Sequence, residues 1–527
     1  MGHAYEGEWV VSTILDDRAE RFGDRVFVES HDEDVTFGEL RDRAQRVAAA
    51  LTALGVQPGD RVASMLPAKT TYLGVWFGIV WAGAVDVPIN NEYKGEFLRH
   101  IVADSGARVL VIQDRWVERL RGLDLPELEH VVVVGSEEAE LPGPYVAHTL
   151  AEALSHDPAP KVSRREDELV YIMYTSGTTG PSKGVMHVNR SALWNAYAWL
   201  DIVWLDHTDV AYSMFPLFHV TARSAVVSSS MWAGSKVVMR DRFSASEYWD
   251  DIRDVGATWF GYMGAVIHLL WKQPPRPDDA DNPVTRAFGA AAPPEIVEAF
   301  EERFGLFLIE VYGGTECGPV SAPTPQRRKV GAQGIILPHV LVEVHDEHDR
   351  PVPPGVEGEI VHRPAVPYGI FQGYWNLPER TVDAFQNLWW HSGDGGKMDE
   401  DGFLTFTDRI KDSIRRRGEN ISSFEVERTV QGHPAVLEAG AYAVPSELTE
   451  DEVMVSVVLN EGAELDVRDL WEHLIAEMPR FAVPRFIRFV DDLPKTPSQR
   501  IQKYKLRDIG VTDDTFDREA LGIEIPR

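Results

Sequence analysis

Tyr174-Thr-Ser-Gly-Thr-Thr-Gly-Pro-Ser-Lys183-Gly184 follows directly after an apolar run at residues 169–173. A short apolar run that ends in a glycine-rich turn predicts a buried β-strand. Glycines and small hydroxyl side chains let backbone N–H and side-chain O–H groups approach a phosphate closely, and Lys183 adds a positive charge. The spacing is not the GxxxxGK(S/T) of the P-loop. The stretch therefore indicates a phosphate-binding loop of another kind, with an ordinary polar turn as the alternative.

Strand-like and helical segments alternate on the N-terminal side of this loop. Residues 108–112 and 131–134 are predicted to be buried parallel strands, and residues 37–54 a helix with one apolar face. The apolar run at 72–85 is shorter than the roughly 20 residues that span a bilayer, so it is predicted to be a buried helix leading into a strand at 85–89. This alternation predicts an α/β fold of layered sheets, with no membrane segment.

The character of the chain changes near residue 408, where a highly charged segment begins. We place a domain boundary at 408–412, giving an N-terminal domain of residues 1–408 and a C-terminal domain of residues 409–527. The smaller domain is predicted to be α+β. Its predicted strands are 441–444, 453–459 and 486–490, and its predicted helices are 423–431 and 467–477. The tail after Arg507 is acidic and poor in aromatic residues, so we expect it to be loosely held.

The composition narrows the class of function. The formal net charge of the 527 residues is −31, which repels phosphate backbones and makes a nucleic-acid partner unlikely on electrostatic grounds. The single cysteine, Cys317, excludes an internal disulfide, and this fits the reducing cytoplasm. Cys317 is expected to be a buried inert thiol, with a nucleophilic role as the alternative. The polar N-terminus lacks the pattern of a signal peptide.

Two further runs carry groups suited to a nucleotide. Tyr312-Gly-Gly-Thr-Glu316 combines an aromatic ring with open backbone, a hydroxyl and a carboxylate that suits Mg²⁺. Trp390-His-Ser-Gly-Asp394 precedes Asp408-Arg409 in the sequence, and a carboxylate next to glycine can accept hydrogen bonds from both ribose hydroxyls. Each run by itself is also compatible with an ordinary turn or surface charge.

Taken together and in this order, the runs resemble the adenylate-forming superfamily of acyl-CoA synthetases, peptide-synthetase adenylation domains and firefly-type luciferases. The resemblance covers nearly the whole chain. Further matching motifs are Thr36-Phe-Gly-Glu-Leu40, residues 83–90, Pro216-Leu-Phe-His219, residues 289–294, Gly373-Tyr-Trp-Asn376 and residues 418–427.

The resemblance implies a large N-terminal domain, a small mobile C-terminal lid and a two-step reaction. A carboxylic acid first reacts with ATP to give acyl-AMP and pyrophosphate, and the lid then rotates so that coenzyme A attacks the adenylate. The implied ligands are ATP or AMP, coenzyme A, Mg²⁺ and a small carboxylic acid. The apolar stretch near residue 262 favours a hydrophobic acid, although ordinary core is an equal alternative for it.

The resemblance also assigns roles to individual residues. The phosphate-binding residues would be Thr175, Ser176, Gly177, Thr178, Thr179 and Lys183. Gly289, Ala290 and Ala291 would flank adenine, with Tyr312 on its other face and Gly313 next to it, and Asp394 and Arg409 would bind the ribose. Thr315 would touch the α-phosphate and Glu316 the magnesium ion. The acyl pocket would be lined by His219, Tyr262, Met263 and Gly264. Lys411 would be the hinge, and Arg415 and Gly418 would line the coenzyme A channel.

The chain departs from the family in its last motif, Pro494-Lys-Thr-Pro-Ser-Gln-Arg500. Arg500 stands where the family has its catalytic lysine, and Gln499 replaces the preceding glycine. Arginine keeps the charge but carries a larger planar head group. Because the lysine serves only adenylation, we expect a selective defect in that step, as in non-adenylating ligases of natural-product pathways that receive acyl-AMP from a partner enzyme. Alternatively, the arginine substitutes for lysine, or Lys503 reaches the site.

Other classes of protein remain as alternatives. A peptide-synthetase adenylation domain would carry an aspartate for the substrate amine near residues 213–219, where this chain has Phe215, Leu217 and Phe218. A luciferase-like oxygenase and a non-catalytic binder of acyl-adenylates are further alternatives. The intact phosphate loop together with Asp394 and Gly418 argues for catalysis.

Substituting Gly418 by leucine should abolish thioester formation, because a side chain at this position obstructs the channel that the resemblance assigns to the pantetheine arm. Binding of acyl-AMP, followed by calorimetry, should remain unchanged. Coenzyme A turnover that survives in Gly418→Leu would place the channel elsewhere.

Overall fold

The structure is a computed structural model that describes residues 7–136, 140–175, 182–410, 414–416, 419–421, 423–446, 451–478, 480, 482–495 and 501–525. The chain folds into two compact units. The larger unit comprises Met1–Val342 and His362–Trp389, and the smaller unit comprises Glu343–Val361 and Trp390–Arg527. The predicted functional boundary at 408–412 stays a prediction.

The helices are, in chain order, α1 (Val11–Phe22), α2 (Phe37–Ala53), α3 (Thr70–Trp81), α4 (Glu96–Ser105), α5 (Leu150–Leu154), α6 (Asn189–Ile202), α7 (Ser229–Ala233), α8 (Tyr248–Val255), α9 (Gly264–Trp271), α10 (Pro294–Phe304), α11 (Pro378–Ala384), α12 (Ser423–Gln431), α13 (Val467–Glu477) and α14 (Lys503–Ile509). A 3₁₀-helix spans Asp114–Leu120, and a π-helix spans Thr221–Ser228.

The strands are, in chain order, β1 (Val26–Glu29), β2 (Asp34–Thr36), β3 (Arg61–Met65), β4 (Val85–Pro88), β5 (Val109–Gln113), β6 (His130–Val134), β7 (Val146–Thr149), β8 (Leu169–Thr175), β9 (Lys183–Val188), β10 (Val210–Ser213), β11 (Lys236–Met239), β12 (Trp259–Met263), β13 (Arg286–Ala290), β14 (Phe307–Glu310), β15 (Tyr312–Gly314), β16 (Gly318–Ala322), β17 (Ile335–Ile336), β18 (Val340–His345), β19 (Gly358–Pro364), β20 (Phe385–Gln386), β21 (Trp389–Met398), β22 (Leu404–Arg409), β23 (Ile414–Arg416), β24 (Glu419–Ile421), β25 (Val436–Pro445), β26 (Asp451–Leu459), β27 (Phe486–Phe489) and β28 (Phe516–Asp517).

Two seven-stranded sheets form the larger unit. One has the order β14-β13-β12-β10-β11-β1-β2 and the other the order β7-β6-β5-β3-β4-β8-β9. Within each sheet the strands are parallel except for the last pair, β1–β2 and β8–β9, which are antiparallel. One hydrophobic core draws side chains from both sheets and from the helices α1, α2, α3 and α6. The predicted α/β fold is confirmed.

Helix α2 shows how local sequence sets these elements. Thr36 caps its N-terminus, since its hydroxyl accepts the Glu39 N–H while the Glu39 carboxylate accepts the Thr36 N–H. The predicted apolar face is buried along its whole length, and the helix ends at Ala53, one residue before the predicted end. The predicted buried helix in the run 72–85 is confirmed as α3, whose residues Tyr72–Trp81 are all buried.

A fully buried ion pair connects the second sheet of the larger unit to the π-helix that follows β10. Asp86 lies on β4 and is 0% exposed, and Arg223 lies on the π-helix and is 2% exposed. Ser64 donates a hydrogen bond of 2.8 Å to the second Asp86 oxygen, and the Arg223 guanidinium also bonds the Leu217 carbonyl and the Tyr72 hydroxyl. Each charge therefore meets hydrogen-bonding partners on several sides, which a buried charge requires.

The smaller unit has a four-stranded sheet of order β25-β26-β27-β28. The predicted helices 423–431 and 467–477 are confirmed as α12 and α13, and the three predicted strands fall within β25, β26 and β27 with an end that differs by one residue. The prediction of a loosely held tail is wrong for the described residues. Strand β28 pairs with β27, Arg485 forms a bidentate ion pair with Asp517, and Ile523 packs on the core of this unit.

Two further expectations concern membrane spans and the cysteine. In the described ranges we find no helix that is both long enough and apolar enough to span a membrane. Cys317 is a free cysteine and is buried, as expected for a structural thiol.

Replacing Asp86 by alanine should destabilise the chain by about 3–5 kcal/mol, because the Arg223 charge stays buried without its partner. Urea unfolding measures this change. The double variant Asp86→Leu/Arg223→Met should recover most of the loss, since both charges are then removed. Glu118→Ala breaks the exposed Glu118–Arg121 pair and serves as the control, with an expected change below about 1 kcal/mol. A loss in Asp86→Ala no larger than in the control would contradict the assigned role.

Candidate functional site

Three of the sequence-predicted segments lie along one edge of the first sheet, together with Glu310. Residues 214–219 follow β10, residues 262–264 end β12 and begin α9, residues 289–291 end β13, and Glu310 ends β14. The strands β10, β12, β13 and β14 are neighbours and parallel, so their carboxyl ends lie side by side. Ligands of open α/β sheets bind at this edge.

The phosphate loop opens from the second sheet. Thr175 ends β8 and lies opposite Lys183, the first residue of β9. The pair forms the mouth of the predicted loop. The predicted residues Ser176, Gly177, Thr178 and Thr179 lie outside the described residues, so their phosphate contacts stay predictions.

A short segment, residues 371–376, runs antiparallel to β9 and continues the mouth of the loop. The Trp375 N–H donates to the Gly184 carbonyl at 2.7 Å, and the Met186 N–H donates to the Gly373 carbonyl at 3.0 Å. The Lys183 ammonium lies 4.4 Å from the centre of the Tyr374 ring, which is a cation–π contact. Lys183 is therefore placed by the neighbouring strand segment as well as by β9.

The predicted α-phosphate and magnesium residues, Thr315 and Glu316, lie in a turn whose backbone is fixed from two sides. His187 of β9 makes a hydrogen bond of 2.8 Å from Nε2 to the Thr315 carbonyl. The Phe371 N–H donates to the Glu316 carbonyl at 2.7 Å. The Tyr374 hydroxyl donates to Glu316 Oε1 at 3.2 Å. These bonds hold the turn against β9 and against the segment of residues 371–376.

His187 is held neutral by its position. It is fully buried, and Nδ1 lies 3.1 Å from the Ser191 hydroxyl. Burial lowers the pKa of His187 to about 4, because the charged imidazolium is poorly solvated there. With Nε2 bonded to a carbonyl oxygen, the ring carries its proton on Nε2 and accepts at Nδ1.

The pairing of β12 with β13 sets the position of the residues predicted to flank adenine, Gly289, Ala290 and Ala291. Gly289 lies opposite Tyr262, and Ala290 lies opposite Met263. A Cβ at position 289 would lie 2.2 Å from the Tyr262 carbonyl oxygen, so only glycine fits. Ala291 has a φ of 64°, in the left-handed region. The backbone of this loop is thus set by close packing against Tyr262.

Glu310 holds the loop of residues 289–292 through hydrogen bonds, a role that the sequence did not predict. Its Oε1 accepts a hydrogen bond from the Tyr262 hydroxyl at 2.5 Å and from the Ala292 N–H at 3.1 Å. Burial raises the pKa of Glu310 to about 7. Tyr262, predicted to line the acyl pocket, is 1% exposed and packs within the core under this loop. Its contact with an acyl group stays a prediction, as do those of Met263 and Gly264.

Tyr312, predicted to stack on adenine, begins β15. Its ring lies nearly parallel to the buried His362 ring, with 5.8 Å between ring centres. Gly313 has no room for a side chain, because a Cβ would lie 2.2 Å from the Gly318 carbonyl oxygen. The ring and the open backbone are therefore adjacent, as the motif predicts.

His219 closes a tight turn between β10 and the π-helix. The His219 N–H donates to the Pro216 carbonyl at 3.1 Å, and Arg223 bonds the Leu217 carbonyl within the same turn. Phe215 of this segment lies over Gly261 of β12, where a Cβ would be 2.5 Å from the Phe215 ring. His219 is thus placed beside the aromatic side chains that follow β10.

The smaller unit carries the predicted ribose residues. Asp394 of β21 lies opposite Arg409 of β22 in the antiparallel pairing. The Asp394 N–H donates to the Ser392 hydroxyl at 3.0 Å, and Glu359 accepts the Gly393 N–H at 2.9 Å and bonds His391. Lys411, Gly418 and Arg500 lie outside the described residues. Arg415 lies on β23, and the side chains of Arg409 and Arg415 are outside the description.

Glu316 is the residue predicted to bind magnesium, and this role stays a prediction. Among the described residues there is no group of three or more histidine, cysteine, aspartate or glutamate side chains that could hold a metal by themselves. Mg²⁺ is commonly bound by one or two carboxylates together with substrate phosphates. Glu316 is a half-buried carboxylate that contacts the same tyrosine as Lys183, and it fits that mode of binding.

The comparisons with known proteins agree with this geometry. The family described as AMP-binding enzyme matches residues 15–375, and the AMP-binding enzyme C-terminal domain matches residues 425–500. A fatty acid–acyl-carrier-protein ligase of Streptomyces coeruleorubidus is 32% identical over 90% of this chain and 91% of its own. A sulfoacetate–CoA ligase of Cupriavidus necator is 32% identical over 94% and 97%. The crystal structure of an anthranilate CoA ligase in complex with anthranoyl-AMP superposes with a TM-score of 0.86 at 25% identity, covering 95% of this chain and 97% of that one.

The buried neutral His187 should make the chain sensitive to acid. Its folded-state pKa lies below the ordinary value, so its contribution to stability is present above about pH 6.5 and is lost as the pH falls toward 4. Between pH 7 and pH 5 the wild type should lose about 2 kcal/mol more than His187→Gln, which keeps a donor for Thr315 and has no titrating ring. Urea unfolding at both pH values measures the difference. His348→Gln alters an exposed histidine and should follow the wild type; identical pH dependence in all three proteins would contradict the assignment.

Proposed function

The chain belongs to the AMP-binding enzyme family and is an acid–thiol ligase of that family, and from this premise we propose which half of the reaction it performs. We propose that it joins a hydrophobic carboxylic acid to coenzyme A through an acyl-adenylate. Its thioester-forming step is intact, whereas its ATP-dependent adenylation is impaired. The observation that carries this proposal is Arg500, preceded by Gln499, where the family has glycine and lysine.

The first half-reaction requires the negative charge of the ATP phosphates to be bound and partly neutralised. A carboxylate oxygen attacks the α-phosphorus of ATP, the bond to the bridging oxygen breaks, and pyrophosphate leaves with the electron pair. Lys183 and Thr175 would bind the phosphates together with loop residues 176–179, and Thr315 would bond the α-phosphate. Magnesium held at Glu316 would neutralise part of the phosphate charge. Positioned cations of this kind supply most of the rate in such reactions.

Binding of the adenosine part of the nucleotide would depend on two groups of residues. The backbone of Gly289, Ala290 and Ala291 would flank one face of adenine, with Tyr312 and Gly313 at the other. Asp394 and Arg409 would bind the ribose. Their placement on directly paired strands supports this assignment, because two neighbouring side chains can then reach one sugar.

The second half-reaction needs no cation at position 500. The coenzyme A thiolate attacks the acyl carbonyl carbon, the bond between that carbon and the AMP oxygen breaks, and AMP leaves. In the family the lid has by then rotated about the hinge, Lys411 in this chain, so the loop with Arg500 faces away. Arg415 and Gly418 would line the channel of the pantetheine arm. The substitution at 500 therefore affects one step.

Arg500 fits adenylation poorly for geometric reasons. Its guanidinium is planar and wide, whereas the place between an attacking carboxylate and an α-phosphate suits a slender ammonium. A displacement of about 1 Å of such a group can cost about 10²-fold in rate. Gln499 removes the flexibility that glycine gives to the loop.

The lysines on either side of this loop are engaged elsewhere in the smaller unit. Lys503 lies 2.9 Å from Glu427 Oε1 and donates to the Ser423 hydroxyl at 2.5 Å. Lys495 pairs with Glu438. Recruiting either lysine to replace the catalytic one would break an ion pair that is mostly shielded from water. This favours a selective defect over rescue by Lys503.

The acid is expected to be hydrophobic because aromatic side chains crowd the edge of the sheet beside His219. Phe215 and Phe288 both lie within contact distance of a side chain placed at Gly261. Acyl-AMP would then come from a separate adenylating enzyme, as expected for a natural-product pathway. The alternatives are an ordinary two-step synthetase and a binder of acyl-adenylates without catalysis.

Two paired assays decide between these functions. With ATP and a panel of hydrophobic acids, pyrophosphate release should be slower by about 10²-fold or more than thioester formation from preformed acyl-AMP and coenzyme A. Arg500→Lys combined with Gln499→Gly should raise pyrophosphate release and leave thioester formation unchanged. Arg480→Lys alters another arginine of the same unit and should change neither rate.

Equal rates of the two half-reactions in the wild type would show an ordinary two-step synthetase. Binding of acyl-AMP without any thioester would show a binder. Both results would contradict the proposal.

A further inference from the structure

Tyr374 is the residue on which the two charged parts of the phosphate site converge. Its hydroxyl donates to Glu316 Oε1 at 3.2 Å, and its ring face lies 4.4 Å from the Lys183 ammonium. The side chain is 5% exposed, so both contacts are largely shielded from water. We propose that Tyr374 is a positioning residue that presents Glu316 to a divalent cation and Lys183 to the phosphates. This inference rests on the proposed function, since it concerns the same site.

The position of Tyr374 is fixed independently of its hydroxyl. Its N–H donates to the Thr381 hydroxyl at 2.9 Å, and the residues next to it bond the backbone of β9. Its ring packs on Phe371, with 5.0 Å between ring centres. Removing the hydroxyl therefore leaves the frame of the segment intact, and the function of the hydroxyl can be tested separately from that of the ring.

The turn that carries Glu316 is likewise fixed without Tyr374. Its two carbonyls are bonded by His187 and by the Phe371 N–H. What remains to be set is the orientation of the Glu316 carboxylate. The Tyr374 hydroxyl bonds one oxygen, and no other side chain or N–H of the described residues bonds the second, which can therefore bind a cation.

A carboxylate that offers one oxygen suits Mg²⁺, which demands octahedral geometry and keeps several waters. Hydrogen bonds from the outer shell orient metal ligands, and removing such a partner commonly costs 10–100-fold in metal affinity. The ring contributes separately, because a cation over an aromatic face is attracted to it and loses freedom of motion. The Tyr374 side chain thus contacts the Glu316 carboxylate with its hydroxyl and the Lys183 ammonium with its ring.

Two substitutions separate these contributions. Tyr374→Phe keeps the ring for Lys183 and removes the hydroxyl, so about tenfold more Mg²⁺ should be needed for half-maximal tightening of ATP binding. The affinity for ATP in excess EDTA should stay within about twofold. Tyr374→Leu removes the ring as well and should also weaken ATP binding in EDTA several-fold. Calorimetric titration of ATP at a series of Mg²⁺ concentrations measures both quantities without requiring catalysis.

Tyr212→Phe is the matched control. The Tyr212 hydroxyl donates to a carboxylate oxygen of Asp251 at 2.7 Å, so the same type of bond is lost in the same unit. Its thermal stability can fall, but its Mg²⁺ requirement should match the wild type. The double variant Glu316→Gln/Tyr374→Phe should need the same Mg²⁺ concentration as Glu316→Gln alone, because the hydroxyl acts through the Glu316 carboxylate.

The outcomes distinguish this inference from the function it rests on. A wild-type Mg²⁺ requirement in Tyr374→Phe, or equal losses with and without metal in both Tyr374 variants, overturns the positioning role and leaves the proposed function standing. A wild type that binds neither ATP nor AMP overturns both. The proposal is supported if Tyr374→Phe changes only the Mg²⁺ requirement and Tyr374→Leu also weakens ATP binding in EDTA. A side chain with a purely structural role would not produce this difference between the two variants.

Discussion

The buried ion pair of Asp86 and Arg223 is the interaction on which the arrangement of the larger unit depends. Removing two charges from water is costly, and it is tolerated only where good geometry and further hydrogen bonds satisfy both groups. Ser64, Tyr72 and the Leu217 carbonyl supply those bonds. Because these partners come from β3, α3 and the turn before the π-helix, and Asp86 itself lies on β4, the pair fixes the second sheet against the segment that carries His219. Few other placements of these elements would satisfy both charges.

Parallel pairing then brings the site together. Sequence segments up to roughly a hundred residues apart lie side by side because β10, β12, β13 and β14 end at one edge. The close approach of the backbones demands glycine at Gly289 and Gly313, where a side chain would collide with a carbonyl oxygen. The strands β8 and β9, which flank the predicted phosphate loop, come from the other sheet, and β9 is connected to the turn with Thr315 and Glu316 by His187 and by the segment that contains Tyr374.

Buried groups whose pKa values are shifted by burial lie behind the charged residues of the site. His187 and His362 are buried, and burial lowers the pKa of both imidazoles. Burial raises the pKa of Glu310. Neutral donors and acceptors can hold backbone carbonyls and loops without adding a charge that would compete with the phosphates of a nucleotide. Among the charged residues of the described strands and turns, Lys183 and Glu316 both contact Tyr374, next to this frame of buried groups.

The sequence by itself determined the α/β class, the helices α2, α3, α12 and α13, and the identity of the motifs, because periodicity and glycine-rich turns are local properties. The sequence also shows that Arg500 stands where the family's last motif has its catalytic lysine. The prediction for the C-terminal tail was wrong, because the attachment of that tail depends on the ion pair of Asp517 with Arg485, which lies in a different part of the chain.

The local sequence gave little indication of three residues near the site. His187 is a histidine within an apolar strand, and Glu310 is a glutamate two residues before Tyr312. Tyr374 belongs to a motif that matches the family, but the motif did not assign a role to it. Their functions arise from partners 48 to 191 positions away in the chain. Only the tertiary structure decided these contacts, because strand order and register determine which distant groups meet, and neither is encoded in the residues adjacent to each one.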